Sequence, residues 1–296
     1  MIERVSFQRF KILADVDVVL RQLTVVVGPN SSGKTTFLQY LAGKAANQPD
    51  DPDLVRFTHL RNEEVTNSIF LQLDTSRLRA PSYSSATVPH LTANGTGLAS
   101  VLADLKLRSE ENFDVIVSSL RQVVPTLEDI RIRRAHVPQA DGAAAPSGEK
   151  LIGFELLFDM KGARDIPAQE VSDGTLLTLA LLTALKSDDK PSRLVLWDDM
   201  ERGLHPKAMG QLVVQLRQLL ATQPELQIVA SSHSPYLLDH LQPEEILLTA
   251  LREDGTATIA PLTNHPDLER WRGLMTPGEL WSTFGESWIL PAHAQS

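Results

Sequence analysis

The stretch Leu23-Thr24-Val25-Val26-Val27-Gly28-Pro29-Asn30-Ser31-Ser32-Gly33-Lys34-Thr35-Thr36 constrains this 296-residue chain more than any other. Its apolar, β-branched start reads as a buried strand, and Thr36-Phe37-Leu38-Gln39-Tyr40-Leu41-Ala42 reads as a helix. The loop between them fits G-x-x-x-x-G-K-[ST] in the strand–loop–helix setting that the motif requires. Gly28 and Gly33 let the backbone turn tightly, so that loop amides point inward at phosphate oxygens. Pro29, Asn30, Ser31, Ser32 and Thr36 complete the loop, and the helix opening near Gly33 adds the positive end of its dipole. Lys34 can bridge the β- and γ-phosphates of a nucleotide, and the Thr35 hydroxyl can ligate Mg²⁺. The expected cofactors are therefore ATP and Mg²⁺.

The rest of the chain supplies an α/β frame for that loop. Residues 2–9 and 15–27 read as two or three strands leading into it, and residues 48–53 as a polar, proline-broken linker. Ser68–Leu73 reads as a strand, and residues 81–94 as a loop rich in Ser, Pro and Thr. Leu98, Val101, Leu102 and Leu105 follow helical spacing, and a second apolar helix face runs from Phe113 to Val124, stopped by Pro125. Ile130–Val137 and Leu151–Met160 read as paired strands joined by a flexible tip at 139–149.

From residue 171 the pattern becomes strictly alternating. Val171-Ser172-Asp173-Gly174-Thr175 opens an apolar helix that ends near Lys186. Leu194–Trp197 is a buried-type strand ending in Asp198-Asp199-Met200-Glu201. A helix with the apolar face Met209, Leu212, Val213, Leu216, Leu219 and Leu220 follows, then the strand Gln227–Ala230, ending in Ser231-Ser232-His233-Ser234-Pro235. Alternation of this kind implies a largely parallel sheet, which binds ligands at the carboxyl ends of its strands. All these polar clusters fall at such ends.

An acidic pair beside a phosphate loop suits Mg²⁺ chemistry: Asp198 would hold the metal through water, and Asp199 would polarise the attacking water. His233 stands where it could sense a γ-phosphate. Ser172-Asp173-Gly174 is a second anion-binding helix start. Two such starts in one chain are reconciled by a head-to-tail homodimer in which one subunit's Ser172 loop closes on the ATP held by the other's Lys34.

Taken in order, these motifs resemble the ABC-class P-loop ATPases, in particular the bacterial ATP-binding branch related to the SMC and RecF proteins. Gly28–Thr35 resembles the Walker A loop, Val171–Thr175 the signature loop and Leu194–Asp198 the Walker B strand. Glu201-Arg202-Gly203-Leu204-His205-Pro206 resembles that branch's E-x-G-L-H-P segment, and Ser232-His233-Ser234-Pro235 its switch-histidine motif. The match is good over roughly residues 1–45 and 165–240 and loose between them. It implies an α/β, ABC-type nucleotide-binding domain with a mixed, largely parallel sheet. A nucleotide lobe would span 1–80 and 150–262, with an inserted helical and hairpin lobe at about 81–149 and a tail at 263–296.

The resemblance also implies roles. Lys34, Asp199, His233 and Glu201 form the catalytic set, with Asp199 at the base position and Glu201 able to compensate for it. Thr35, Asp198 and Gln72 serve the metal, and Ser172, Asp173 and Gly174 meet the γ-phosphate in trans. Phe10 and Lys11 stand roughly where relatives place an adenine-side contact. Two departures stand out. The base position usually carries Glu, and Asp199 draws the carboxylate back by about 1.5 Å, a misplacement that can cost around a hundredfold in rate. Asp173 replaces the Gly of transporters and is expected to cap the helix it begins.

Composition narrows the function. The net charge of −9 opposes a surface that grips DNA as a whole, leaving Arg131, Arg133, Arg134 and His136 as a local basic strip or an ordinary solvated strand face. The absence of cysteine excludes disulfides and thiolate metal sites. The longest apolar run, near 176–185, is too short for a bilayer, so a cytoplasmic protein without membrane insertion is expected. His205 is expected to pack or face a dimer partner rather than bind metal. Trp271, Trp281, Phe284 and Trp288 either fill core or form a sticky surface, and their concentration favours a tail that docks on a partner or on the ATPase lobe. The expected function is a switch or clamp that closes on ATP, and the resemblance implies that it serves a separate effector or nucleic acid in phage defence or genome maintenance. The alternatives are a transporter's ATP-binding subunit and a scaffold that binds ATP without turnover.

Overall fold

The computed structural model describes residues 1–45, 55–59, 68–137, 151–186, 194–202 and 204–290. The linker at 48–53, the tip at 139–149 and Gly203 lie outside them. Two compact units are present: Met1–Phe70 with Ser192–Ser296, and Leu71–Pro191.

The first unit is built on one mixed sheet. Its strands are β1 (Ile2–Phe10), β2 (Leu13–Val19), β3 (Leu23–Val27), β4 (Val55–His59) and β5 (Ser68–Leu71). Later in the chain come β9 (Leu194–Trp197), β10 (Gln227–Ser232), β11 (Ile246–Leu251) and β12 (Ala257–Pro261). They lie in the order β4-β1-β2-β12-β11-β3-β10-β9-β5. β3 runs parallel to β10 and β11, and β10 parallel to β9, whereas β1–β2, β1–β4 and β11–β12 are antiparallel. Every residue of β3 and β10 is buried, as expected of central parallel strands covered on both faces. Because β3, β9 and β10 point the same way, the residues after Val27, Trp197 and Ser232 all emerge at one edge of the sheet.

Helix α1 (Lys34–Ala45) buries Phe37, Leu38, Tyr40 and Leu41 in a core shared with Val5, Phe7, Leu13, Leu196, Val229 and Leu247. α6 (Pro206–Thr222) buries Met209, Leu212, Val213, Leu216 and Leu220. α7 (Pro235–Leu238), α8 (Leu268–Trp271) and α9 (Pro277–Phe284) complete the unit. α9 begins with a capping box between Thr276 and Glu279. It packs so closely on α7 that a Cβ on Gly278 would lie 2.1 Å from the Pro235 carbonyl oxygen. The aromatic tail thus packs on its own unit: Trp271 meets Phe284, and His265 lies between Phe284 and Trp288.

The second unit holds α2 (Thr75–Arg79), α3 (Leu98–Arg108), α4 (Glu110–Val123) and α5 (Asp173–Lys186). Its separate sheet is β6 (Leu127–His136), β7 (Ile152–Met160) and β8 (Ala163–Pro167), antiparallel throughout. α4 turns Phe113, Ile116, Val117, Leu120 and Val123 inward, and α5 is buried along nearly its whole length. The threonines inside the apolar run of α5 are satisfied locally: Thr178 donates to the Gly174 carbonyl (2.9 Å) and Thr183 to that of Leu179 (2.8 Å).

Candidate active site

The phosphate loop leaves β3 through a backbone that only certain residues permit. Gly28 and Gly33 have φ of +151° and +92°, and Ser31 one of +62°. A Cβ on Gly28 would sit 2.2 Å from the Thr249 hydroxyl of β11. That hydroxyl donates to the Val27 carbonyl (3.1 Å) and also bonds the Ser32 hydroxyl, while Ser32 donates to Pro29 O (2.7 Å). Thr249 therefore buttresses the loop from a neighbouring strand. Lys34 is buried, and its ammonium donates to the carbonyls of Gly28 (2.9 Å) and Pro29 (2.8 Å). Burial lowers the Lys34 pKa, and the fields of Asp199, Asp198, Glu201 and Glu286 act in the opposite direction.

The end of β9 meets the start of α1. Thr35 Oγ1 donates to both oxygens of Asp198, at 3.0 and 2.9 Å. A hydroxyl and a carboxylate in contact form a hard oxygen set that fits Mg²⁺. On the next strand, Ser231 Oγ donates to Asp198 (2.5 Å) and accepts the backbone N–H of Asp199 (2.9 Å). The Met200 N–H donates to Ser231 O (3.1 Å). Asp199 takes a left-handed conformation, φ +51°, and its side chain is 46 % exposed. Glu201, by contrast, is buried, and its Oε1 accepts the backbone N–H of His233 (2.8 Å) and lies 2.9 Å from His233 Nδ1. Asp199 is farther from that nitrogen, at 3.7 Å.

Lys34, Thr35, Asp198, Asp199, Glu201 and His233 thus gather at one sheet edge. Ser231 and Thr249 belong to the same construction, although only the pairing of β10 with β3 and β9, and of β11 with β3, brings them there. A serine at a strand end and a threonine within one carry no sequence signal for such work.

In the second unit, Ser172 is exposed and caps α5: its hydroxyl accepts the Thr175 N–H (3.3 Å) and bonds the Thr175 hydroxyl (2.9 Å). The expectation that Asp173 caps the helix is corrected. Asp173 is the first helical residue, and its carboxylate pairs with Arg79 of α2 (2.5 Å), which also donates to Val171 O (2.8 Å). Arg79 neutralises the charge that Asp173 brings to the loop. Gly174 is buried at the helix start. Gln72 follows β5 and is exposed, its N–H donating to Ala93 O (2.9 Å).

Of the two readings of Arg131, Arg133, Arg134 and His136, an ordinary strand face is the one the structure fits. Strand alternation puts Arg131 and Arg133 on one face of β6, and Arg134 and His136 on the other. Arg131 is engaged by Asp159 (2.6 Å) and Asp165 (2.9 Å), and Arg133 by Glu155 (2.6 Å). His205 caps α6, accepting the Lys207 N–H (3.3 Å). Phe10 packs against Tyr40, with the exposed Lys11 over its ring and bonded to Gln39.

Among solved structures, the SMC head bound to the C-winged helix domain of ScpA is similar over 90 % of this chain and 99 % of that one, with a TM-score of 0.57 and 14 % identity. The Smc head domain from Pyrococcus furiosus, solved bound to the C-terminal domain of ScpA, reaches 0.52 at 12 % identity, over 92 % and 99 % of the two chains. CbiO1 from Clostridium perfringens, part of an ABC transporter complex, reaches 0.53 at 12 % identity, over 94 % and 98 %. At these identities the likeness concerns the fold. No curated protein matches the chain. No helix among the described residues is long and apolar enough to cross a membrane. The family model described as "AAA domain, putative AbiEii toxin, Type IV TA system" matches residues 61–239. With that match the chain belongs to that AAA-domain family, and its fold is that of the SMC head and ABC ATPase domains.

Proposed function

We propose that the protein is an ATP-hydrolysing switch that dimerises head-to-tail on ATP and passes its closure to a separate effector or nucleic acid. The observation that carries this reading is the direct contact of Thr35 with Asp198, beside the exposed Asp199 and within reach of Lys34 and His233. Gly28, Pro29, Asn30, Ser31, Ser32, Gly33 and Thr36 would line the triphosphate, with Lys34 neutralising it. Mg²⁺, when bound, supplies charge neutralisation between the phosphates, and Thr35 and Asp198 would hold it, with Gln72 as a third candidate. Asp199 is the proposed base: its carboxylate is accessible to water, whereas Asp198 is occupied by two hydroxyls. Ser172, Asp173 and Gly174 would meet the γ-phosphate of the partner subunit's nucleotide, and the Arg79 pairing explains how an aspartate is tolerated there.

The same reading keeps the nucleotide lobe at 1–80 and 150–262, the inserted lobe at about 81–149 and the tail at 263–296, in a cytoplasmic protein. A role in phage defence or genome maintenance with a second protein agrees with the toxin–antitoxin wording of the family description.

The test is ATP turnover together with molar mass in solution, with and without ATP, for wild type and Asp199→Asn. Turnover that depends on Asp199, with ATP-dependent dimers, supports the switch. Dimers without turnover would reduce the protein to a one-shot clamp, and absence of nucleotide binding would refute the reading.

A further inference from the structure

Glu201 is the one acidic residue at this edge whose carboxylate is withdrawn from solvent, with a side chain only 4 % exposed. Its Oε1 faces two nitrogens of a single residue, the backbone N–H of His233 at 2.8 Å and the ring Nδ1 at 2.9 Å. Its Oε2 is buried and has no hydrogen-bond partner. An oxygen that accepts a backbone N–H is acting as an acceptor, and any proton on this carboxyl would reside on Oε2. The hydrogen between Oε1 and the ring therefore belongs to Nδ1. That sets the tautomer: Nδ1 carries hydrogen, and Nε2 is left to point away from Glu201 on a ring that is 59 % exposed.

The same geometry closes Glu201 to the work of a general base. One oxygen is engaged twice and the other is sealed from water, so an attacking water has no path to either. Asp199, half exposed and only 3.7 Å from the same ring nitrogen, has that path.

We propose that Glu201 is a positioning residue, one that holds His233 as the Nδ1–H tautomer with Nε2 presented outward for the terminal phosphate, and that it is not a substitute base for Asp199. The phosphate contact and the exclusion of a base role rest on the ATPase reading above; the tautomer held by Glu201 does not. Asp199, Glu201 and His233 also offer ligand atoms all within 4.8 Å of one another. The hydrogen on Nδ1, pointed at Glu201, fills the gap that a cation would need.

The two amino-acid replacements that separate these roles are Glu201→Gln and Glu201→Leu. An amide oxygen can still accept from both nitrogens but cannot take a proton from water; leucine can do neither. Nitrogen-15 chemical shifts of the His233 ring, assigned with His233→Ala, report the tautomer without any nucleotide. The expected result is the Nδ1–H form in wild type and Glu201→Gln, and its loss in Glu201→Leu. Turnover should then fall by less than about tenfold in Glu201→Gln and by about a hundredfold in Glu201→Leu, the scale of a misplaced catalytic group. Glu201→Leu combined with His233→Ala should be no slower than His233→Ala alone.

A Glu201→Gln protein that keeps the tautomer but loses turnover as fully as Asp199→Asn would overturn the proposal, because the carboxylate itself would then be the base. So would a wild-type ring in the Nε2–H form. Stoichiometric Zn²⁺ binding that vanishes in both Glu201→Gln and His233→Ala would replace the proposal with a metal site. If wild type showed the tautomer and no turnover, the ATPase reading would fail while the Glu201–His233 assignment stood.

Discussion

The sheet edge around Lys34 and the face of β6–β7 are both dense in charge, yet their charges are used in opposite ways. On β6–β7 the two arginines of one strand face are paired off: Arg131 with Asp159 and Asp165, Arg133 with Glu155. Beside Lys34 the Asp198 carboxylate is held instead by hydroxyls, from Thr35 and Ser231. Pairing opposite charges satisfies them and leaves little to offer a ligand. Holding a carboxylate by neutral donors fixes its direction and keeps its charge available. Charge density alone does not separate a site from a scaffold; the kind of partner does.

Four substitutions test that contrast, from the largest effect to the smallest. Lys34→Ala removes the buried ammonium, and ATP turnover should fall by at least about a hundredfold, with the fold retained by circular dichroism. Ser231→Ala releases Asp198 and the Asp199 N–H together. A loss of about ten- to a hundredfold in kcat is expected, with nucleotide affinity much less changed. An unchanged kcat would break the claim that hydroxyl-held carboxylates are the working ones.

Asp159→Asn should leave turnover untouched and alter acid stability. The Asp159 carboxyl is held below its usual pKa first by the Arg131 hydrogen bond and then by the Asp165 amide. A depressed carboxylate stabilises the fold above its unfolded pKa, and that contribution disappears as pH falls through the lower folded value. Wild type should therefore lose stability below about pH 4, the ordinary carboxylate range, whereas the asparagine variant, weaker at neutral pH, should lose less on acidification. Urea midpoints at pH 7 and pH 3 measure it. Arg133→Ala, at a 62 % exposed side chain, should change stability by no more than about 0.5 kcal/mol and turnover not at all.

Much of the fold was legible because the periodicities are clean. The strand–loop–helix at 23–36, the helices at 98–108 and 110–123, and the alternation after residue 171 all stand where apolar spacing puts them. The hairpin β11–β12 escaped notice although Asp254-Gly255, between two apolar runs, is a turn signal: Gly255 has φ +79° and Asp254 caps the Thr256 N–H. β8 escaped for a related reason, since Ala163–Pro167 is short and mostly exposed and therefore lacks an apolar signature. At the site, the six residues that form its edge carried motif spacing. Ser231 and Thr249 did not, and neither did Arg79 in the second unit, because each acts on a partner far away in sequence.

The amino-acid sequence by itself determined the local devices: glycines where the loop turns left-handed, Lys34 and Thr35 at a helix start, acids and a histidine at strand ends. Those follow from backbone sterics and periodicity, which are local. The tertiary structure alone decided which carboxylate faces water and which is sealed against His233. Asp199 and Glu201 are two residues apart and chemically alike. Their difference arises from β10 and the residue that follows it: Ser231 holds the Asp199 backbone N–H, and His233 closes over Glu201.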